Sequence, residues 1–389
     1  MKKNLTARYL LHQMTYWAAS AGIVSFAATF LLDKGLAAAL VGTLLALGNL
    51  LSCGLQPVLA DFADRSGGNV LKWMTVALTA LCVLCFATVK MLPSHNLFFG
   101  IVYLLGIFCF DAMMPLMNAI NVYYTEHGFQ INYGLGRGLG SFAYAMSALV
   151  VGRVMASFGA DWMLWISMSL LCLNAVLAAG YPGVGRTLSA KQREDADCCT
   201  IFRFFGRYRW FCLSLAGVML LGMFHAMTEN YMIQVVTPLG GDSGTVGVAL
   251  FIATFAETFV IVFFESIRKR IPDTWLLKIA GLSFLLKSVL LLLAGNVTAI
   301  YFIALLQATS YSFLSPTQMY YASAKIRAVD MVKGQAFITA SYTLGCALGN
   351  FSGGQILQWF DVRAMLMAGI GMAAAGTLVL FATVNKTDM

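Results

Sequence analysis

Residues 132–152 read NYGLGRGLGSFAYAMSALVVG, a long apolar helix with a permanent cation near its start. Arg137 does not lose its proton in a protein, so burying it requires a partner or a ligand. Glycines at 134, 136, 138 and 140, followed by Ser141, Ala143, Ala145, Ser147 and Ala148, leave the helix little bulk. Neighbouring helices can therefore approach it closely. Tyr144 follows Arg137 by seven residues, two turns on along the same face. A guanidinium and a ring lining one cavity suit a polyhydroxylated ligand, with donors for the hydroxyls and an aromatic face for the apolar side of a sugar. The alternative is a helix-end arginine snorkelling to the interface beside a packing tyrosine.

The rest of the chain is of the same character. Its 389 residues are 60% hydrophobic and 11% charged, against roughly 25% charged in soluble domains. Apolar runs of about twenty residues, enough to cross a bilayer core, recur from end to end. Continuous runs such as Leu276–Ala294 predict helices, not the alternating strands of a barrel. The expected fold is an all-α membrane protein with about twelve transmembrane helices, at approximately 9–32, 38–60, 72–92, 97–123, 134–157, 162–181, 210–236, 245–266, 275–294, 298–322, 335–357 and 364–384.

The longest polar interruption, Gly183–Arg209, predicts a linker 183–209 between six-helix halves 1–182 and 210–389. The net charge of +8 sits in short loops, as the cytoplasmic side of a membrane protein requires, and does not point to nucleic acid. Lysines and arginines crowd one side: Lys2, Lys3, Arg8, Arg65, Lys72, the linker cluster, Arg268, Lys269, Arg270, Lys325, Arg327, Lys333 and Lys386. Both termini and the linker are accordingly expected in the cytoplasm, and the first span is expected to be retained, without a cleavage site. Nine cysteines scattered through apolar runs imply no disulfide framework. Cys82 and Cys85 lie inside such a run and read as small buried hydrophobes, not as a redox or metal pair.

Internal repetition orders the halves. Val41-Gly42 opens a helix ending in the loop Asp61–Lys72, and Val246-Gly247 opens one ending in Glu265–Lys278, an offset of about 205 residues. Pro115 answers Pro316, and FGADWML at 158–164 answers FDVRAML at 360–366. Similar offsets imply one six-helix unit duplicated in the same orientation. The loop LADFADRSGGNVLKW (59–73) places Asp64 and Arg65 beside paired glycines, Gly67 and Gly68, that permit a tight turn. Such a cluster latches helix ends through ion pairs and helix termini and releases them during a cycle; the alternative is a solvated turn.

On these residues the chain resembles the major facilitator superfamily, whose signature after the second span is Asp-Arg/Lys-x-Gly, although Ala60 stands at the usual upstream glycine. The resemblance extends to the oligosaccharide:proton symporter branch, lactose-permease-like, through QPVLADFADRSG (56–67), PLMNA (115–119), RGLGSFAYAMSALVVG (137–152), TENYM (228–232) and AET (256–258). It implies two pseudo-symmetric six-helix bundles working by alternating access about a midplane site. It also implies that Arg137 grips the sugar, Tyr144 stacks on it and Glu257 accepts its hydroxyls. Asn118 stands where the family places a glutamate partnering that arginine, a departure that leaves Arg137 less neutralised. Lys287 stands at an arginine concerned with proton release, and Glu229 matches an aspartate. In span ten Tyr311 and Leu314 replace the family's histidine and glutamate, so its proton route does not carry over.

Without the resemblance, the spans still hold Asp111, Arg137, Glu229, Glu257 and Lys287, with His12 and His225 nearby. Each costs about 2.5–3.5 kcal/mol at a bilayer centre if it faces lipid, so these groups are expected to face an internal cavity or one another. Three carboxylates against two cations leave one carboxylate to carry a proton, and Glu229 or Glu257 is expected to be that group. Asp111 and Lys287 have a purely structural pair as their alternative, and Glu229 a solvated place at a helix end.

The expected function is a secondary transporter importing a small polar solute, a sugar or glycoside, by proton symport. A nucleoside or organic-anion transporter, or an uncoupled uniporter, is the alternative. The site is expected to use Asp111, Asn118, Arg137, Tyr144 and Glu257 for the solute, Glu229, Glu257 and Lys287 for protons, and Asp64, Arg65 and Gly67 for gating. The expected partners are the solute, the proton and the lipid of a bacterial inner membrane, for a monomer. No cofactor or metal is expected, and no Gly-x-x-x-x-Gly-Lys-Ser/Thr, His-Glu-x-x-His or Gly-x-Ser-x-Gly pattern supports an ATP-driven pump or an enzyme.

Overall fold

A computed structural model describes residues 5–64, 66, 68–94, 96–183, 201–327 and 330–386. Among them there is no strand. Helix α1 (Thr6–Ser20) passes through a turn of π-helix, Ala21–Ser25, into α2 (Ala27–Asp33) with a bend of 44°. There follow α3 (Ala38–Asp64), α4 (Gly68–Met91), α5 (Leu97–Glu126), α6 (Tyr133–Phe158) and α7 (Asp161–Ala179). Beyond the linker come α8 (Ile201–Arg207), α9 (Arg209–Asn230), α10 (Met232–Val236), α11 (Ser243–Val262), α12 (Phe264–Arg268) and α13 (Asp273–Leu293). The chain finishes with α14 (Val297–Ala304), α15 (Tyr311–Lys325), α16 (Met331–Trp359) and α17 (Val362–Thr383).

Among the described residues, ten stretches are long and apolar enough to cross a bilayer, and the bent α1–α2 pair makes an eleventh. One of the ten, Val297–Lys325, runs through α14, a 3-10 turn at Leu305–Ala308 and α15. The remaining expected span corresponds to α16. Its 29 residues reach about 43 Å at 1.5 Å per residue, but glycine, serine, threonine and asparagine dilute its apolar character. Helix starts are fixed locally: Asn96, Asn132, Asn296 and Asp361 accept hydrogen bonds from the backbone N–H groups of Phe98, Leu135, Ala299 and Ala364. Each cap satisfies a donor that has no partner inside its helix. Apolar side chains that face outward, such as Val176 at 69% and Leu378 at 70% exposure, make a surface suited to lipid.

The chain forms two compact units, Met1–Ala190 with Asp242–Phe251, and Lys191–Gly241 with Ile252–Met389. The expected linker lies largely outside the described residues, which omit 184–200. The opening turns of α11 fall in the first unit, where Gly247 meets α6 backbone to backbone: a Cβ there would stand 2.5 Å from the Ala148 carbonyl oxygen. The first unit also closes around Leu71, Leu116, Ile120, Tyr124 and Tyr181. The rings of Tyr124 and Tyr181 stack at 5.2 Å, and the Tyr124 hydroxyl donates to the Pro182 carbonyl at 2.6 Å. In the second unit α16 lies directly on the α9 backbone. Cβ atoms at Gly345 and Gly349 would stand 2.2 Å from the carbonyl oxygens of Met219 and Met223, so a four-residue glycine spacing sets that helix pair.

Candidate functional site

In the first unit, the small residues of α6 let α1 approach until its aromatic rings fill the missing bulk. A Cβ at Gly140 would lie 2.5 Å from Trp17 Cδ1 and one at Gly136 2.7 Å from Tyr9 Cε1. Trp17 Nε1 donates to Gln13 Oε1 at 3.1 Å, and Gln13 Nε2 donates to the Tyr9 hydroxyl at 2.8 Å, so the indole is held in place. The Arg137 guanidinium lies over that indole, 4.1 Å from its centroid, and Nη1 donates to Ser141 Oγ at 2.9 Å. Among the described residues no carboxylate lies within 4.0 Å of Arg137. The half-buried cation is met by a ring face and a hydroxyl, and it turns onto α1 instead of reaching outward.

Two turns further along α6, the Tyr144 hydroxyl and Ser25 Oγ share a hydrogen bond of 2.6 Å. Ser25 closes the π-helical turn, so Arg137 and Tyr144 engage two successive levels of the same helix. On α5, Asp111 and Asn118 are seven residues apart and share a face. Ser52 Oγ donates to Asp111 Oδ2 at 2.8 Å. The Asn118 Oδ1 atom is buried with no hydrogen-bond partner among the described residues. A buried acceptor in that state costs about 1–3 kcal/mol of lost solvation, which a donor from a solute or a water would recover.

The second unit arranges its charges differently. Lys287, 2% exposed, donates to Glu229 Oε1 at 3.0 Å and to Gln307 Oε1 at 3.0 Å. Gln307 Nε2 then donates to Glu257 Oε2 at 3.4 Å. One amide, in the 3-10 turn Leu305–Ala308, thus links a lysine–glutamate pair to the second glutamate. Glu229, its side chain 21% exposed, is the counterion of a buried lysine. One turn before it on α9, the His225 ring stacks on Tyr311 at 5.3 Å with an interplanar angle of 5°, and Leu314 is fully buried. Tyr311 of α15 therefore packs against a histidine supplied by another helix, α9. His12 is also fully buried, its Nδ1 3.4 Å from the Tyr181 hydroxyl.

Of the expected gating residues, Arg65 and Gly67 lie outside the described residues, as does the side chain of Asp64. The corresponding loop of the second half is described. Arg268 donates from Nε and Nη2 to the two oxygens of Asp273 at 2.8 and 3.1 Å, and its guanidinium lies 3.8 Å from the Tyr320 centroid. The Tyr320 hydroxyl donates to Glu265, so α12, α13 and α15 are tied by one arginine.

Sequence reasoning missed Trp17, Ser25, Ser52 and Gln307, each a neutral partner of an expected residue. Gln307 had a legible signal, a lone amide inside the apolar run IYFIALLQATSY (300–311). The others needed the helix pairing.

Residues 5–368 match the model of the MFS_1 like family. The chain belongs to that family and is a membrane transporter of the major facilitator type, not an enzyme. No curated protein matches the sequence. Among solved structures, a point mutant of the nucleoside transporter NupG superposes with a TM-score of 0.85 at 14% identity, covering 98% of this chain and 100% of that one. The POT family transporter PepTSo gives 0.67 at 12%, with 97% of each chain covered. A bacterial homologue of the human lysosomal transporter Spinster, inward-facing and occupied, gives 0.65 at 13%, covering 97% and 96%. At these identities the likeness is one of fold.

Proposed function

We propose that the protein is a secondary transporter that imports a sugar or glycoside together with a proton, by alternating access. The observation that carries this reading is the state of Arg137, whose charge is met, among the described residues, by the Trp17 ring and Ser141 Oγ and not by a carboxylate. A planar fork of donors beside an indole matches vicinal hydroxyls on a ring with an apolar face. Asp111 and Asn118 supply acceptors on α5. In the second unit, Glu229 serves as the counterion of Lys287, and Glu257, reached through Gln307, serves as the proton carrier that also accepts solute hydroxyls. The loop at Asp64, Arg65 and Gly67 gates the cycle. The protein works as a monomer in a bacterial inner membrane with both termini in the cytoplasm.

A nucleoside is the second reading, favoured by the match to NupG along the whole chain and by the flat surface of Trp17. The experiment is uptake by proteoliposomes under an imposed inward proton gradient, with a panel of labelled sugars, glycosides, nucleosides and organic acids. Gradient-stimulated uptake of a sugar or glycoside supports the first reading, and uptake confined to nucleosides supports the second. A panel with no stimulated uptake would end the symport reading.

A further inference from the structure

We propose that the surface around Trp210 binds the phosphate of an anionic phospholipid. Trp210 stands in the first turn of the spanning helix α9, and indoles at the ends of spans serve as interfacial anchors. Lys386, just beyond α17, places Nζ 3.8 Å from its ring centroid, and the Arg209 guanidinium lies 5.4 Å from it. Lys325, the last residue of α15, donates to the Lys386 carbonyl at 2.8 Å, which brings a third cation to the same helix ends.

The adjoining joint between α8 and α9 extends the positive surface. The Tyr208 hydroxyl donates to Asp330 Oδ2 at 2.9 Å and accepts from the Arg327 backbone N–H at 3.3 Å, while Arg207 stands 3.6 Å from the same carboxylate oxygen. Asp330 is 1% exposed and takes Arg207 as its ion-pair partner, so this buried anion balances Arg207, while Arg209, Lys325 and Lys386 are the cations that stand around Trp210. Arg203 and Arg207 lie exposed on α8. Between them Phe205 is 47% exposed, its ring 5.1 Å from that of Phe337, while neighbouring Phe204 is fully buried.

This combination selects the occupant. A cluster of cations alone would take any anion, including the acidic stretch of the linker with Glu194, Asp195 and Asp197. An exposed phenylalanine, Phe205, between Arg203 and Arg207 on the adjoining helix complements a molecule that carries both a phosphate and an acyl chain. Anionic leaflets also attract basic segments close to a span. A surface that holds such a lipid would fix the start of α9 at the boundary. The inference does not depend on which solute is carried.

The test titrates the full-length protein in detergent with phosphatidylglycerol or phosphatidylcholine and counts retained lipids by native mass spectrometry. Wild-type protein is expected to retain phosphatidylglycerol at least about tenfold better, with millimolar inorganic phosphate unable to displace it. The triple variant Arg209→Gln, Lys325→Gln, Lys386→Gln should lose most of that preference while keeping its Tm in phosphatidylcholine. Phe205→Ser, at an exposed position, is the second arm and should weaken retention of long-chain phosphatidylglycerol with the cations intact. Equal retention of the two lipids by wild type, or wild-type preference in both variants, overturns the proposal. So does phosphatidylglycerol binding seen only after neutralising Glu194, Asp195 and Asp197, which would make the linker the occupant.

Discussion

The cations of the two units are held in opposite ways. Arg137 meets an indole face and a serine hydroxyl, whereas Lys287 is buried on a glutamate and a glutamine. A guanidinium over a ring is stabilised by about 0.5–2 kcal/mol and keeps its other donors for a ligand. An ammonium sunk between two acceptors has little left to offer a neutral solute. On the reading proposed above, this difference gives Arg137 the recognition of the solute and Lys287 the balancing of charge, with Glu257, at the far end of the Gln307 bridge, as the group that changes its proton.

The largest effect is expected at Arg137. Arg137→Lys keeps the charge but loses the planar fork, and uptake should fall by roughly a hundredfold or more, the loss of two charge-assisted hydrogen bonds, with an unchanged thermal melt. Wild-type uptake by that variant would remove Arg137 from the site. Next comes Lys287→Gln, which leaves the partly buried Glu229 without its cation and should destabilise the protein by up to about 3–5 kcal/mol. The double variant Lys287→Gln, Glu229→Gln should recover most of that loss in thermal unfolding. If the double variant is as unstable as the single, the pair is not a closed unit.

Trp17→Leu removes the ring but keeps apolar bulk, and is expected to raise the apparent KM for solute by about three- to thirtyfold. An unchanged KM would make the indole a packing group. Tyr144→Phe is the mildest change. It deletes one hydrogen bond to Ser25, worth about 0.5–1.5 kcal/mol, and keeps the ring, so uptake should stay within a few-fold of wild type while the melt drops slightly.

The fold was legible because lipid leaves a chain few choices: long apolar runs had to be helices. The expected boundaries fall close to the observed ones except where a span is interrupted. Span one bends at Ala21–Ser25, span seven breaks at Tyr231, and span ten tightens at Leu305–Ala308. None of these breaks carries a proline, the signal a sequence offers for a kink. Charges gave away Arg137, Glu229, Glu257 and Lys287, because a charge in a span needs a reason. The pairing did not follow from charge. Which glutamate Lys287 takes depends on where α9, α11 and α13 place their faces, and the amide of Gln307 carries no charge to draw notice. Trp17 became visible only once Gly140 brought α1 against α6.

The central claim, that Arg137 holds the solute and Glu257 carries the proton, is tested most directly by comparing Arg137→Lys and Glu257→Gln in the same proteoliposomes, measuring solute counterflow and gradient-driven uptake. The account predicts that Glu257→Gln keeps counterflow but loses stimulation by the proton gradient, while Arg137→Lys loses both. Glu257→Gln liposomes still driven by the gradient, or Arg137→Lys liposomes still exchanging solute, would contradict it.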